Sequence, residues 1–79
     1  MNYKYYEIFI NHDYAICIKV DKIKEPTNED VYNYLKQYEE SARQYDFSIN
    51  DIHTIKQITE QESYDLYNME YINTLPIMQ

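Results

Sequence analysis

Two apolar runs flank a polar break near the start of the chain, where Tyr5 to Val20 reads YYEIFINHDYAICIKV around Asn11-His12-Asp13. β-Branched and aromatic side chains suit a pleated surface, and Asn and Asp tolerate turn dihedrals, so the pattern predicts strand, turn, strand. Alternation places Tyr6, Ile8 and Ile10 on one face of the first strand and Ile16, Ile18 and Val20 on one face of the second. Together they form an apolar half-sheet that needs a cover. The other face, with Tyr5, Glu7 and Phe9 opposite Ala15, Cys17 and Lys19, is only partly polar and leaves room for a second one.

After a connector, Pro26 pushes Glu25 away from helical geometry. Thr27 then stands as an N-cap before Asn28-Glu29-Asp30, whose acids suit the positive end of a helix dipole. Val31, Leu35, Tyr38, Ala42 and Tyr45 recur at helical spacing, with Tyr34 at the edge of the stripe. The spacing predicts a helix to about Tyr45 that covers the hairpin. Glu39 and Arg43 fall at i,i+4 for an ion pair on the outer side. Ile52 to Ile58 reads as a third strand with imperfect alternation, Ile52 and Ile58 sharing one face and Ile55 the other. Thr59-Glu60-Gln61-Glu62 matches a capping box before a short helix to about Asn68, on which Tyr64, Tyr67 and Tyr71 form a stripe. Leu75 to Met78 is an apolar tail, either docked or sticky. The expected fold is α+β in ββαβα order, a small, mainly antiparallel sheet with helices packed on one face.

Length changes the picture by limiting the core. Seventy-nine residues make one domain, 1–79, which buries only roughly 60% of what its unfolded chain exposes. Cys17 is the single cysteine, so no internal disulfide reinforces it. Efficient packing or self-association is left, and eleven tyrosines serve either. The chain has no glycine, so a backbone position with positive φ must be filled by Asn or Asp, and Gly-rich phosphate loops are excluded. No run approaches the roughly 20 apolar residues that span a bilayer, and the start carries no signal-peptide pattern. With one free cysteine, a cytoplasmic protein without a membrane partner is expected. Abundant Ile, Asn, Lys and Tyr point to an AT-rich bacterial or phage genome.

Charge is more informative. The net charge is −7. Up to Pro26, Lys4, Lys19, Lys22 and Lys24 balance Glu7, Asp13, Asp21 and Glu25; beyond it every remaining acid faces only Lys36, Arg43 and Lys56, and no basic residue follows Lys56. The sign opposes direct nucleic-acid binding, although tyrosines stack on bases elsewhere. His12 and His53 lack a ligand-spaced partner, so neither a metal nor another cofactor is expected. Cys17 lies mid-strand between Ile16 and Ile18, where a small buried thiol is the ordinary role, and no catalytic residue is assigned.

The acidic remainder reads either as a solvated surface or as a partner-binding one. Carboxylates one helical turn apart stand roughly 5–6 Å from each other, a spacing comparable with successive phosphates. Glu60, Glu62, Asp65 and Glu70 make the first candidate stretch; Glu29, Asp30, Glu39 and Glu40 make the second, interrupted by Lys36 and Arg43, with Tyr32 as an interface anchor.

In length, acidic second half, aromatic hairpin and absence of catalytic motifs, the chain resembles the small inhibitors of phages and mobile elements, of the anti-CRISPR and anti-restriction type. The resemblance implies a non-enzymatic protein in a bacterial host's cytoplasm that binds a nuclease or CRISPR effector at a basic nucleic-acid groove. The alternative is a small accessory domain that forms a homodimer through the outer hairpin face or the Leu75 to Met78 tail.

Overall fold

The computed structural model describes residues 3–11, 14–21, 25–38 and 47–79. Strand β1 (Lys4–Ile10) and strand β2 (Tyr14–Val20) form the expected hairpin, pairing antiparallel from Lys4↔Val20 to Ile10↔Tyr14. Asn11 follows β1 with φ of 57°, and its N–H donates to the Asp51 carbonyl at 2.9 Å. In a chain without glycine, Asn is the residue that meets a left-handed position at least cost.

Helix α1 (Asn28–Tyr38) starts where the sequence places it. Thr27 and Asp30 form a reciprocal cap: the Asp30 N–H donates to Thr27 Oγ1, and the Thr27 N–H donates to Asp30 Oδ2, both at 3.1 Å. Val31, Tyr34 and Leu35 turn inward and are buried against Tyr6, Ile8, Ile10, Ile16, Ile18 and Val20. Asn28 Nδ2 also donates to the Ile52 carbonyl at 3.3 Å, tying the helix start to the next strand. The expected continuation to Tyr45 lies outside the described residues.

A 3₁₀ turn (Ile49–Asp51) leads into β3 (Ile52–Ile58), which pairs antiparallel with the other side of β1. The register jumps between Phe9, opposite Thr54, and Ile10, opposite Ile52. His53 is therefore the extra residue of a β-bulge. The bulge corrects the expected facing of this strand. Ile52 joins Ile55 on the α1 side, while Ile58 alone lies on the other.

Helices α2 (Glu60–Leu66) and α3 (Met69–Thr74) follow, then the two-residue strand β4 (Ile77–Met78). The last strand pairs parallel with β2, Lys19 opposite Ile77 and Val20 opposite Met78. The α+β class stands, with a four-stranded mixed sheet in the order β3-β1-β2-β4. Two features of the expected architecture are replaced. The order gains a helix and a closing strand, and the helices lie on both faces of the sheet. Tyr5, Cys17 and Ile58 are too apolar to face water, and α2–α3 covers them with Ile72 and Leu75, flanked by Tyr3, Tyr64, Tyr67 and Tyr71. The apolar tail is docked: Leu75 and Met78 are buried on opposite sides of the sheet. The outer hairpin face and the tail expected to mediate a homodimer are thus partly covered within the chain, with Ile77 left half-buried.

Candidate functional site

The second cover carries the first acidic stretch. Thr59 caps α2, accepting from the Glu62 N–H at 3.0 Å while its own N–H donates to Glu62 Oε1 at 2.9 Å. These bonds hold the Glu62 carboxyl below the usual carboxylate range, the backbone N–H of Thr59 contributing most. Asn68 caps α3 in turn, its Oδ1 accepting from Glu70 N–H at 2.7 Å and Tyr71 N–H at 3.4 Å. Between the two caps the chain bends at Tyr67-Asn68, making an elbow.

Tyrosines pin the elbow to the sheet. Tyr67 donates to Glu7 Oε2 at 2.7 Å, and Tyr71 donates to the Cys17 carbonyl at 3.5 Å. Burial and the Glu7 carboxylate both push the Tyr67 phenol upward. Burial first, then Tyr64 and Glu60, raises Tyr5 to about 12. The Cys17 thiol beneath them is fully buried, and burial followed by Glu7 raises it to about 12. Burial and the Glu7 carboxylate both favour the protonated thiol over the thiolate.

With Tyr64, Tyr67, Tyr71, Ile72 and Leu75 turned inward, the elbow's other side faces water. Leu66 is 59% exposed and Met69 54%. Asp65 and Glu70 are exposed immediately beside them in sequence, and Glu60 is exposed at the start of α2. Gln61 Nε2 donates to Asp65 Oδ1 at 3.0 Å along the same helix. The elbow thus presents two large apolar side chains among carboxylates, on elements that contain no basic residue. Sequence reasoning named the acids and missed Leu66 and Met69. The signal was there: both fall off the tyrosine stripe.

The second acidic stretch is elsewhere. Glu29 and Asp30 are exposed at the start of α1, across the sheet from the elbow, so one compact site does not contain both stretches. Asp30 is committed to the α1 cap as Glu62 is to the α2 cap. Glu39 and Glu40 lie outside the described residues. Tyr32, expected as an interface anchor, is half-buried, packs edge-on against Phe47 at 5.5 Å, and has the Lys36 ammonium 5.6 Å from its ring and 4.6 Å from that of Phe47.

His53 is exposed on the bulge, with Nδ1 2.9 Å from Thr54 Oγ1; His12 lies outside the described residues. Among the described residues no three His, Cys, Asp or Glu side chains converge as a metal site, and no helix is long and apolar enough to cross a membrane. Comparisons with protein-family models, characterised proteins and solved structures find no match to this chain.

Proposed function

We propose that the protein is a non-enzymatic inhibitor from a phage or mobile element that docks the α2–α3 elbow on a basic nucleic-acid groove of a host nuclease or CRISPR effector, in the bacterial cytoplasm. The observation that carries this reading is the pairing of exposed Leu66 and Met69 with exposed Asp65 and Glu70 on a segment free of cations. Carboxylates supply the charge that such a groove is built to meet and steer the encounter. Leu66 and Met69 supply the apolar contact that holds the complex once water is expelled. The Tyr67–Glu7 bond keeps the elbow fixed to the sheet, so little ordering entropy is lost on binding.

Glu62 and Asp30 serve the caps, so Glu60, Asp65 and Glu70 are the residues to reverse. A triple change to lysine leaves both caps intact. The test is capture of a nuclease or CRISPR effector from lysate of an AT-rich bacterial host, with and without competing DNA or RNA. Displacement by nucleic acid and loss of capture by the triple variant support the proposal. Capture that ignores both the competitor and the variant removes it.

A further inference from the structure

A groove of about 470 Å³ runs between α1 and the C-terminal strand, on the far edge of the sheet from the bulge. Asp30, Asn33 and Gln37 form its helical wall, and Ile77, Met78 and Gln79 form its strand wall. Tyr34 closes the floor, its hydroxyl donating to the Pro76 carbonyl.

Among the described residues, the strand wall is the outer edge of the sheet. The Asp21 N–H donates to the Met78 carbonyl at 3.0 Å, so Met78 directs its backbone groups toward β2. Backbone direction alternates along a strand, and Ile77 and Gln79 therefore turn theirs outward. Met78 packs in the core on the α1 side, and Ile77, half-buried, lines the groove with it. No described strand pairs with that edge.

The helical wall complements it. Asn33 and Gln37 are exposed amides one turn apart, roughly 5–6 Å between Cβ atoms. Alternate residues of an extended chain repeat at roughly 6–7 Å. Each amide carries both a donor and an acceptor, as a peptide bond does. The net charge of −7 favours a basic peptide over an acidic one, Asp30 at the groove's end being held by the α1 cap. The opposite edge, β3, carries a bulge and the exposed Lys56, features that discourage strand addition.

We propose that this groove binds an extended, basic peptide segment of a partner protein, which adds to β4 as a fifth strand. The main chain of the peptide bonds the outward groups of Ile77 and Gln79, and its flanking groups meet Asn33 and Gln37. This surface is distinct from the α2–α3 elbow, and the two proposals stand or fall separately.

The test is selection of random displayed octapeptides on the intact protein, with counter-selection on a Gln37→Arg variant, whose exposed position tolerates the change. Enriched peptides are expected to carry at least one basic residue. Amide resonances of Ile77 and Gln79 shift on titration with a selected peptide. N-methylation of alternate peptide bonds weakens binding by about tenfold or more, the loss of a main-chain bond to a buried partner. Enrichment that Gln37→Arg does not reduce, or absence of enrichment, overturns the proposal. So does a peptide insensitive to N-methylation, which is held by its side chains alone. Concentration-dependent dimers with the Ile77 edge protected would assign the groove to a second copy instead.

Discussion

At the scale of residues, the most consequential side chains are those whose polar ends are tied down locally. Glu62 is the clearest. Its folded value lies below the ordinary 4.5, so its contribution to stability is present above that pH and is lost as pH falls through the folded value. A Glu62→Gln variant is expected to show a shallower loss of stability on acidification below pH 4.5, read from urea midpoints across the acid range. Thr59→Ala removes the other half of the box and is expected to cost about 1 kcal/mol. The buried phenols act at the opposite end of the scale. Tyr5 is raised from 10 to about 12 and Tyr67 is raised further, so their contribution is whole below the unfolded value near 10 and is lost as pH rises through the folded ones. Tyrosinate absorbance is expected to rise in two phases in alkali, the later accompanying unfolding. Tyr67→Phe should leave the Glu7 carboxylate without its phenol and cost about 1–3 kcal/mol. An unchanged denaturation midpoint in Tyr67→Phe would mean that the elbow is not pinned by this bond.

At the scale of elements, the third strand shows what a linear pattern conveys. The hairpin is legible because both of its strands alternate without interruption, and the register Tyr6↔Ile18 and Ile8↔Ile16 aligns their apolar faces. In β3 the alternation looked faulty because one residue does not count. With His53 bulged out, Ile52 moves to the α1 side, where it is buried at 4% exposure. Deleting His53 therefore preserves every pairing of β3 and is expected to change stability by less than about 1 kcal/mol, whereas Ile52→Ala should cost about 2–5 kcal/mol. Comparable chemical denaturation of the two variants would show that the bulge is not where the register places it. The second cover was only half legible for a related reason. The Thr59 box marks the start of α2, but continuation to Asn68 hid the break at Tyr67-Asn68. The break starts a second cap at Asn68, while Leu66 and Met69 face outward on either side of it. The acids of the candidate site could be listed from sequence. The Thr-x-x-Glu spacing marked Glu62 as a capping group, whereas the same role for Asp30 opposite Thr27 became visible only in the fold.

At the scale of the whole molecule, a sheet covered on both faces separates charge that the sequence runs together. The acids after Thr27 look like a single block, yet Glu29 rides on α1 while Glu60, Asp65 and Glu70 ride on α2–α3 across the sheet. With the elbow docked as proposed, Glu29 lies on the opposite face from the contact. Its effect on the complex is then confined to the long-range field, which salt screens over about 8 Å at physiological ionic strength. Glu29→Lys is therefore expected to slow association modestly at low salt and to leave the dissociation rate unchanged. Reversing Glu60, Asp65 and Glu70 should slow association more steeply and flatten its salt dependence, because three contacts of the elbow itself are removed. Replacing Leu66 and Met69 by serine should act in the other rate, speeding dissociation while association stays near its original value, since apolar contacts form after encounter. Surface-binding kinetics over a salt series with the captured host protein separate the three variants. Equal effects of Glu29→Lys and the triple reversal would mean that net charge alone governs binding, and the elbow would then have no privileged role.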